Sequence, residues 1–281
     1  GDRPIIDYVL DLARRLARPE HILIVVGYQH EAIERHLGPQ YRYVLQEEVR
    51  GTGHAALQAR PHLEGYDGDL LVLYGDTPLF RLSSLKGMLT RHRLKGADLT
   101  LLAGTTEEPL PYGRVVRDAA GAVVDVVEEA YADEETRGIR ELNLGAYVAH
   151  APRLFAALGS LDCAERRDEF PLTDVVRCLA EAGARVEAYR SADEDEFLGI
   201  NTPEDLEAAE LILQKRILRP RRIEEENIIQ FGTGGWRAVI GEGFTLHNVR
   251  RLSQALAGRL LRTGKEESGV LIGYDRRFLS N

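Results

Sequence analysis

The sequence predicts an α/β fold in which helices cover both faces of a mostly parallel sheet. Up to about residue 105, short apolar runs typical of buried strands alternate with segments whose apolar residues recur every three or four positions. Such alternation implies right-handed crossovers, which place helices on both faces of the sheet. In addition, one strand pattern ends just before an aspartate, and a later apolar run ends at an asparagine. Polar residues at the carboxyl ends of strands are expected in open α/β sheets, because that is where such sheets bind ligands.

The elements of this first region follow in chain order. Pro4 suits the first turn of a helix, and apolar residues at spacings of three and four continue to Leu16. The next patterns predict strand 21–26, helix 30–37, strand 41–45, helix 52–59, strand 69–74, helix 82–92 and strand 97–103.

Residues 106–150 break the alternation. Strand-like runs at 114–117, 123–127 and 142–148 have short polar connections, which predicts an antiparallel extension over the sheet edge. Helical patterns return at 152–158, 173–182 and 204–218. Residues 219–227 interrupt all periodicity with a proline and blocks of opposite charge, so we expect a linker there. Beyond it, strand 228–231, helix 246–262 and strand 269–274 form too short a segment to bury a core of its own.

Composition narrows the classes of function. A length of 281 residues allows roughly two domains, and a net charge of −9 argues against nucleic acid as a partner. No apolar run approaches the roughly 18 residues of a membrane span, and Cys163 and Cys178 lack metal-type spacing. We therefore expect a cytoplasmic protein with reduced thiols. Because Met88 is the only methionine, we also expect a segment of a longer protein.

Asp76 and Asn201 are the candidate metal ligands. Asp76 follows the strand pattern 69–74, and Asn201 ends the apolar run that starts at Phe197. One carboxylate and one amide oxygen from distant strand ends suit a Mg²⁺ that stays largely hydrated and is shared with a nucleotide phosphate. The alternatives are a turn or helix cap at Asp76 and a helix start after Asn201, with Thr202 as N-cap.

The segment Gly51-Thr52-Gly53-His54 follows a predicted strand and opens a helix, so its backbone N–H groups are candidates for ligand binding. The alternative is an ordinary glycine turn in which Thr52 caps the helix. Gln46 can donate and accept hydrogen bonds at once, as recognition of a uracil edge requires. We interpret His54 as a solvated first-turn residue rather than a catalytic base.

Eight motifs in a fixed order carry a family resemblance that covers Gly1 to about Leu218. They resemble the nucleotidyltransferase domain of N-acetylglucosamine-1-phosphate uridyltransferases, the UDP-N-acetylglucosamine pyrophosphorylase family. The motifs lie at residues 27–31, 46–55, 74–79, 112–116, 127–129, 141–145, 172–176 and 199–201.

This resemblance implies a Rossmann-like, three-layer nucleotidyltransferase fold with a mostly parallel mixed sheet that lacks its first strand. It also implies transfer of UMP from UTP to N-acetylglucosamine 1-phosphate by in-line attack, without a protein nucleophile. The resemblance also implies which residues bind each ligand. Mg²⁺ would be bound by Asp76 and Asn201, the nucleotide by Gln46, Gly51, Thr52, Gly75 and Asp76, and the amino sugar by Gly113, Glu128 and Asn143.

The chain also departs from the family pattern. Family members carry a glycine-rich loop with an arginine, and then a lysine, before the position of Gly1, whereas the first lysine here is Lys86. Since one preorganised donor contributes roughly 3 kcal/mol to catalysis, we expect this chain to be inactive by itself. Leu144 replaces a frequent threonine, which leaves glucose 1-phosphate and mannose 1-phosphate as alternative substrates. No hexapeptide repeat follows, so the family's acetyltransferase half is missing, and a non-catalytic sugar-phosphate-binding module is a further alternative.

Residues 231–241, 244–245, 248–249 and 273–280 resemble the start of the first domain of the α-D-phosphohexomutases. The resemblance implies that Arg237 lies near the phosphoserine of that family, where a guanidinium can pair with phosphate; the alternative is a surface arginine. Ser280 does not match the phosphoserine motif. We thus predict a truncated nucleotidyltransferase domain (1–218), a linker (219–227) and an incomplete mutase domain (228–281). The fusion makes metabolic sense because a mutase delivers a sugar 1-phosphate, and the oligomeric state is left open.

Overall fold

The computed structural model describes residues 3–161, 170–218, 231–232, 235–236 and 246–262. The chain divides into two compact units, Gly1–Arg216 and Ile217–Asn281. The linker expected at residues 219–227 lies outside the described residues, so the domain limits of the sequence analysis stay a prediction.

The first unit is built from helices and strands that follow the predicted order closely. Its helices are α1 (Ile5–Ala13), α2 (His30–Leu37), α3 (Thr52–Gln58), α4 (Leu82–Lys95), α5 (Glu134–Arg137), α6 (Ala151–Leu161), α7 (Asp174–Glu181) and α8 (Pro203–Leu218). Its strands are β1 (Leu23–Val26), β2 (Arg42–Leu45), β3 (Asp69–Val72), β4 (Leu99–Thr105), β5 (Arg114–Arg117), β6 (Val123–Val127), β7 (Glu141–His150) and β8 (Val186–Arg190).

The main sheet is mixed. Its strand order is β6-β5-β7-β4-β8, and β3 also pairs with β7. β4 and β8 pair in parallel, whereas β7 is antiparallel to β3, β4 and β5. It follows that β3, β4, β5 and β8 run in one direction and that β6 and β7 oppose them. β1 and β2 form a separate two-stranded parallel sheet.

Helices cover both faces of the main sheet. On one face, Leu101 of β4 packs in a cluster with Leu158 of α6 and Val176 of α7. On the other, Leu102 packs with Leu85 and Met88 of α4. Adjacent residues of β4 serve opposite faces because side chains alternate along a strand. The three-layer α/β fold predicted from the sequence is therefore confirmed.

Strand β7 corrects one expectation. Residues 142–148 were predicted to extend the sheet over its edge, but β7 lies in the middle, between β4 on one side and both β3 and β5 on the other. Every residue from Leu142 to Ala149 is buried, as is typical of a strand covered on both faces. Pairing between distant segments decides this position, and local periodicity does not encode it.

Three further differences concern the region of the site. The strand predicted at 69–74 is half-buried and is antiparallel to its neighbour β7, not a buried parallel strand. The sequence analysis did not predict β8, which is short and contains charged residues. Residues Phe197–Asn201 do not form a strand, because a 3₁₀ turn at Glu194–Phe197 leads into an irregular segment.

The second unit is described only in part. β9 (Phe231–Gly232) and β10 (Gly235–Trp236) pair antiparallel, and α9 (Leu246–Arg262) coincides with the predicted helix. Arg237, Ser280, Cys163 and the strand expected at 269–274 lie outside the described residues. Within the described part of the chain, no helix combines the length and the apolar character needed to cross a membrane.

Candidate functional site

The structure brings Asp76 and Asn201 together although they are far apart in the sequence. Asp76 lies in the loop that follows β3, and its carbonyl oxygen accepts a hydrogen bond of 2.9 Å from the N–H of Ile200. Asn201 is the next residue, so both candidate ligands are placed at one point of the fold. A backbone bond therefore brings the two side chains to the same locality.

The alternative weighed for Asn201, a helix start with Thr202 as N-cap, is present in the structure. Thr202 Oγ1 accepts a bond of 3.1 Å from the N–H of Asp205, and the Asp205 carboxylate accepts the N–H groups of Asn201 and Thr202 at 3.0 and 2.9 Å. This reciprocal pattern is a capping box at the start of α8. These hydrogen bonds also lower the pKa of Asp205. The Asn201 side chain takes no part in the cap, so it is left for another partner.

Tyr112 holds the same segment from the other side. Its hydroxyl accepts a bond of 2.8 Å from the N–H of Gly199. Partial burial raises the pKa of Tyr112, so the phenol stays protonated at neutral pH. The Asp76–Asn201 locality is therefore held by two hydrogen bonds from backbone N–H groups, and neither bond uses the side chain of Asp76 or Asn201.

The donor set at this point fits Mg²⁺. Asp76 is exposed, yet partial desolvation by nearby protein atoms raises its pKa. No side chain of the described residues hydrogen-bonds the side chain of Asp76 or Asn201, and these residues hold no cluster of three or more His, Cys, Asp or Glu groups. One carboxylate and one amide oxygen suit an ion that keeps most of its water and shares a phosphate, whereas a fully protein-bound ion needs more ligands.

Gln46 is buried and already bonded to the protein. Its Nε2 donates to the carbonyl oxygen of Gly51 at 3.2 Å and lies 2.9 Å from Nδ1 of His54. The amide nitrogen is therefore engaged by protein groups, and Oε1 is the atom left without a protein partner in the described residues. The prediction that Gln46 contacts a base stays a prediction.

His54 lies in the first turn of α3, as predicted, but it is only partly exposed and its ring is not simply solvated. Its Nδ1 meets Gln46, and its Nε2 lies 3.0 Å from Nε2 of Gln58. Both ring nitrogens thus face amide side chains. The sequence contained a usable signal, because Gln58 follows His54 by one helical turn in α3.

Gly51 sits where no other residue fits. Its φ is +94°, and a Cβ at this position would lie 2.7 Å from the carbonyl oxygen and 2.9 Å from the nitrogen of Phe170. Gly53 N–H donates to the same oxygen at 2.8 Å. The chain can make this close approach only without a side chain at residue 51.

Thr52 does not cap α3 through its side chain, since Gly51 is the N-cap and Thr52 Oγ1 accepts from the N–H of Leu172 at 2.9 Å. The N–H of Gly53 is already used by Phe170. In the described residues no acceptor receives the N–H groups of Gly51 and Thr52, so these two are available to a ligand.

The residues assigned to the amino sugar also lie together. Asn143 N–H donates to the carbonyl of Gly113 at 2.8 Å, and a Cβ on Gly113 would lie 3.5 Å from Oε2 of Glu128. The other oxygen of Glu128 accepts from the hydroxyl of Thr173 at 2.7 Å. Gly113, just before β5, Glu128, just after β6, and Asn143 of β7 therefore form one locality.

Two tyrosines that the sequence analysis missed lie between the residues predicted to bind the nucleotide and the sugar. The rings of Tyr74 and Tyr147 are 6.3 Å apart, centroid to centroid, and Asn143 Nδ2 donates to the Tyr147 hydroxyl at 2.6 Å. Burial raises the pKa of both phenols, most strongly for Tyr147. The two rings and the Asn143 bond thus form a series of packed contacts beside the predicted sugar residues.

An irregularity in β7 makes this packing possible. The pairing with β4 shifts between Leu101 and Ala103, opposite Gly145, whose φ is +81°. A Cβ on Gly145 would lie 2.9 Å from the ring of Tyr74. Only glycine lets Tyr74 pack against the strand here.

Arg114 is a second residue without a predicted role. Its side chain is buried, donates to the carbonyl oxygen of Leu110 at 3.1 Å and pairs with Glu129 at 2.7 Å. It also donates to the carbonyl of Tyr112. One guanidinium therefore ties the Tyr112–Gly113 turn to the segment that carries Glu128.

Comparison with known proteins identifies relatives for both parts of the chain. Residues 1–236 match the family model described as nucleotidyl transferase, and residues 229–281 match phosphoglucomutase/phosphomannomutase, alpha/beta/alpha domain I. The chain is 38% identical over 215 residues to the bifunctional protein GlmU of Enterococcus faecalis, covering 76% of this chain and 47% of that protein. It is 42% identical over 219 residues to GlmU of Pelobacter propionicus, covering 77% and 47%. The chain thus spans about half the length of the curated relatives that it matches.

Solved structures agree on the fold. An apo UDP-glucose pyrophosphorylase superposes with a TM-score of 0.60 at 21% identity, covering 76% of this chain and 88% of that one. The UDP-glucose pyrophosphorylase complexed with UDP-glucose gives 0.58 at 20% identity, with the same coverage.

Proposed function

The chain belongs to the nucleotidyl transferase family, and on that premise we propose that its first unit binds UTP and a sugar 1-phosphate, with N-acetylglucosamine 1-phosphate preferred. The protein that contains this chain would join them into UDP-N-acetylglucosamine and release pyrophosphate. The observation that carries the proposal is the meeting of Asp76 and Asn201 through the Ile200–Asp76 hydrogen bond.

The proposed nucleotide site uses groups that have no partner in the described fold. Gln46 has one carbonyl oxygen free, and the N–H groups of Gly51 and Thr52 have no acceptor there. Uracil presents a ring N–H between two carbonyl oxygens, so one acceptor next to backbone donors matches its edge. Gly75 precedes Asp76 and leaves room for the nucleotide phosphates to approach the backbone.

The proposed sugar site uses Glu128, Asn143 and the backbone at Gly113. Glu128 supplies carboxylate oxygens for sugar hydroxyls, and Asn143 has one amide hydrogen and one lone pair beyond its bonds to Tyr147 and Gly145. These groups suit the N-acetyl and hydroxyl groups of an amino sugar.

The reaction needs positioning and charge neutralisation rather than a protein nucleophile. A phosphate oxygen of the sugar 1-phosphate bonds to the α-phosphorus of UTP while the bond from that phosphorus to pyrophosphate breaks. Asp76 and Asn201 would hold Mg²⁺, which neutralises phosphate charge when bound. The remaining residues orient the base and the sugar so that the two phosphates meet in line.

Binding of the product tests the proposal directly, since it reports base and sugar contacts without the chemical step. Titration calorimetry of the 281-residue chain should show tighter binding of UDP-N-acetylglucosamine than of UDP-glucose or GDP-mannose. Glu128→Gln keeps the shape of the side chain and removes its charge, so it should weaken the binding of sugar nucleotides more than that of UDP. Equal affinity for all three nucleotide sugars would contradict the preference for the amino sugar.

Turnover is tested on the complete gene product. With UTP and Mg²⁺, pyrophosphate release should be fastest with N-acetylglucosamine 1-phosphate, while faster release with glucose 1-phosphate or mannose 1-phosphate would favour those alternatives. Binding without release for any sugar would favour a non-catalytic module.

We also propose a phosphohexomutase in the same protein, on the basis of the match of residues 229–281. Arg237 is the residue expected near its phosphoserine. The complete gene product should interconvert hexosamine 6-phosphate and 1-phosphate, and Arg237→Ala should lower that rate without changing pyrophosphate release. Absence of interconversion in the unmodified protein would remove the mutase proposal.

A further inference from the structure

We propose that His54 is a positioning residue for base recognition. Its Nδ1 holds the Gln46 amide so that only the carbonyl oxygen is left for the ligand, and the site thereby selects a base with a ring N–H donor, such as uracil, over cytosine. The inference rests on the proposed function, because it takes Gln46 as a contact of the base.

The orientation of the Gln46 amide follows from its other partner. The carbonyl oxygen of Gly51, 3.2 Å away, can only accept a hydrogen bond. The Gln46 atom facing it must therefore be the nitrogen, because two oxygens at that distance would repel each other. The Gly51 carbonyl thus favours the orientation in which the nitrogen points away from the ligand, and an acceptor at His54 Nδ1 adds to that preference.

The amide nitrogen of Gln46 also indicates which ring nitrogen of His54 carries the hydrogen. Nδ1 of His54 lies 2.9 Å from Gln46 Nε2, which has a hydrogen to donate. Nδ1 must then be unprotonated, so a neutral ring carries its hydrogen on Nε2. Gln58 Nε2 lies 3.0 Å from that nitrogen and 3.3 Å from the carbonyl oxygen of His54, so a hydrogen on the His54 Nε2 requires the Gln58 amide to turn its oxygen to the ring and give up the longer bond.

Backbone hydrogen bonds hold Gln46 and the helix turn of His54 in place. The N–H of Gln46 donates to the carbonyl of Val26 at 2.7 Å, next to the pairing of β2 with β1. His54 lies in the first turn of α3, where Gly53 N–H donates to Phe170 at 2.8 Å. The two side chains therefore meet without depending on a mobile connection.

The resulting pattern distinguishes pyrimidine bases. Uracil offers N3–H to an acceptor, whereas N3 of cytosine is itself an acceptor and would face Gln46 Oε1 without a hydrogen between them. A site that leaves such a buried acceptor unpaired loses affinity. Without His54, the Gln46 amide nitrogen keeps only the Gly51 carbonyl as an acceptor, so turning the amide to pair with cytosine N3 costs one hydrogen bond instead of two.

Calorimetric titration with UDP and CDP tests this role in the 281-residue chain. The unmodified chain should bind UDP about 10- to 100-fold more tightly than CDP. His54→Phe keeps a ring of similar size without an acceptor and should reduce that preference by about 5- to 10-fold. His54→Asn is the matched control, since its amide oxygen replaces Nδ1, and it should restore most of the preference.

The possible results distinguish an error in the role of His54 from an error in the proposed function. If the unmodified chain prefers UDP and His54→Phe leaves the preference unchanged, the role of His54 is wrong and the proposed function stands. If the unmodified chain binds neither nucleotide, the proposed function fails instead. A measurement on the unmodified chain does not depend on the folding of any variant: ¹⁵N NMR of the His54 ring should show Nε2 protonated and Nδ1 free at neutral pH, and a proton on Nδ1 would overturn the inference.

Discussion

Replacing Gly51 by alanine should be the most damaging small substitution in the nucleotide site. The backbone at this residue has φ +94°, and the added Cβ would lie 2.7 Å from the oxygen and 2.9 Å from the nitrogen of Phe170. Both are backbone atoms that bond to Gly53 and Arg50, so they cannot move without breaking those bonds.

The expected loss in the free energy of unfolding has two parts. A non-glycine residue at such a φ costs about 1–3 kcal/mol, and overpacking against fixed atoms adds about 1–3 kcal/mol. We therefore expect Gly51→Ala to lower the free energy of unfolding by about 2–6 kcal/mol. For a unit of this size that corresponds to a fall in Tm of roughly 4–24 °C.

Gly121→Ala is the matched control, because Gly121 has a φ of +83° with no atom within 4 Å of the added Cβ. It should show the backbone cost alone, about 1–2 kcal/mol, with no change in UDP affinity. Urea denaturation measures both variants, and titration with UDP should show weaker binding only for Gly51→Ala. If the two variants lose the same stability, the proposed contact with Phe170 does not constrain the loop and the reasoning is refuted.

The remaining predictions concern three other side chains. Tyr147→Phe removes the hydroxyl that receives Asn143 Nδ2, so UDP-N-acetylglucosamine should bind about tenfold more weakly while UDP changes less; an equal loss for both ligands would contradict the link to the sugar site. Asp76→Asn should abolish the effect of Mg²⁺ on UTP affinity, and a variant that keeps the full effect would exclude Asp76 as a ligand. Glu196 is buried and accepts hydrogen bonds from two serines, so Glu196→Ala should cost about 2–3 kcal/mol and Glu196→Gln less than about 1. Burial raises the pKa of Glu196 in the folded protein, so the charged carboxylate opposes folding. The free energy of unfolding, compared with that of Glu196→Gln, should therefore rise as the pH falls from the raised pKa towards the ordinary value. Urea midpoints that do not depend on pH would contradict this.

The elements that the sequence predicted well are those whose pattern is local. Helices His30–Leu37 and Leu246–Arg262 and strands Arg114–Arg117 and Val123–Val127 have the predicted limits. Periodicity, caps and turns act between residues a few positions apart, so the sequence alone carries them.

The errors concern pairing between distant segments. β7 lies in the centre of the sheet instead of over its edge, and β8 joins β4 although its own pattern is short and partly charged. The apolar run before Asn201 packs into the core through Phe197 but pairs with no strand in the described residues. In each case the neighbour across space decides the outcome, and no local signal identifies that neighbour.

For the site, residue types and the order of the motifs are enough to show which kinds of groups are present and which family they belong to. The folded chain adds that the Gln46 amide nitrogen is engaged by protein groups, that both ring nitrogens of His54 face amide side chains, and that Tyr74 and Tyr147 pack between the two halves of the site. The physical reason is that a side chain's identity sets what it can donate or accept, whereas its packed neighbours determine which of those capacities are already used.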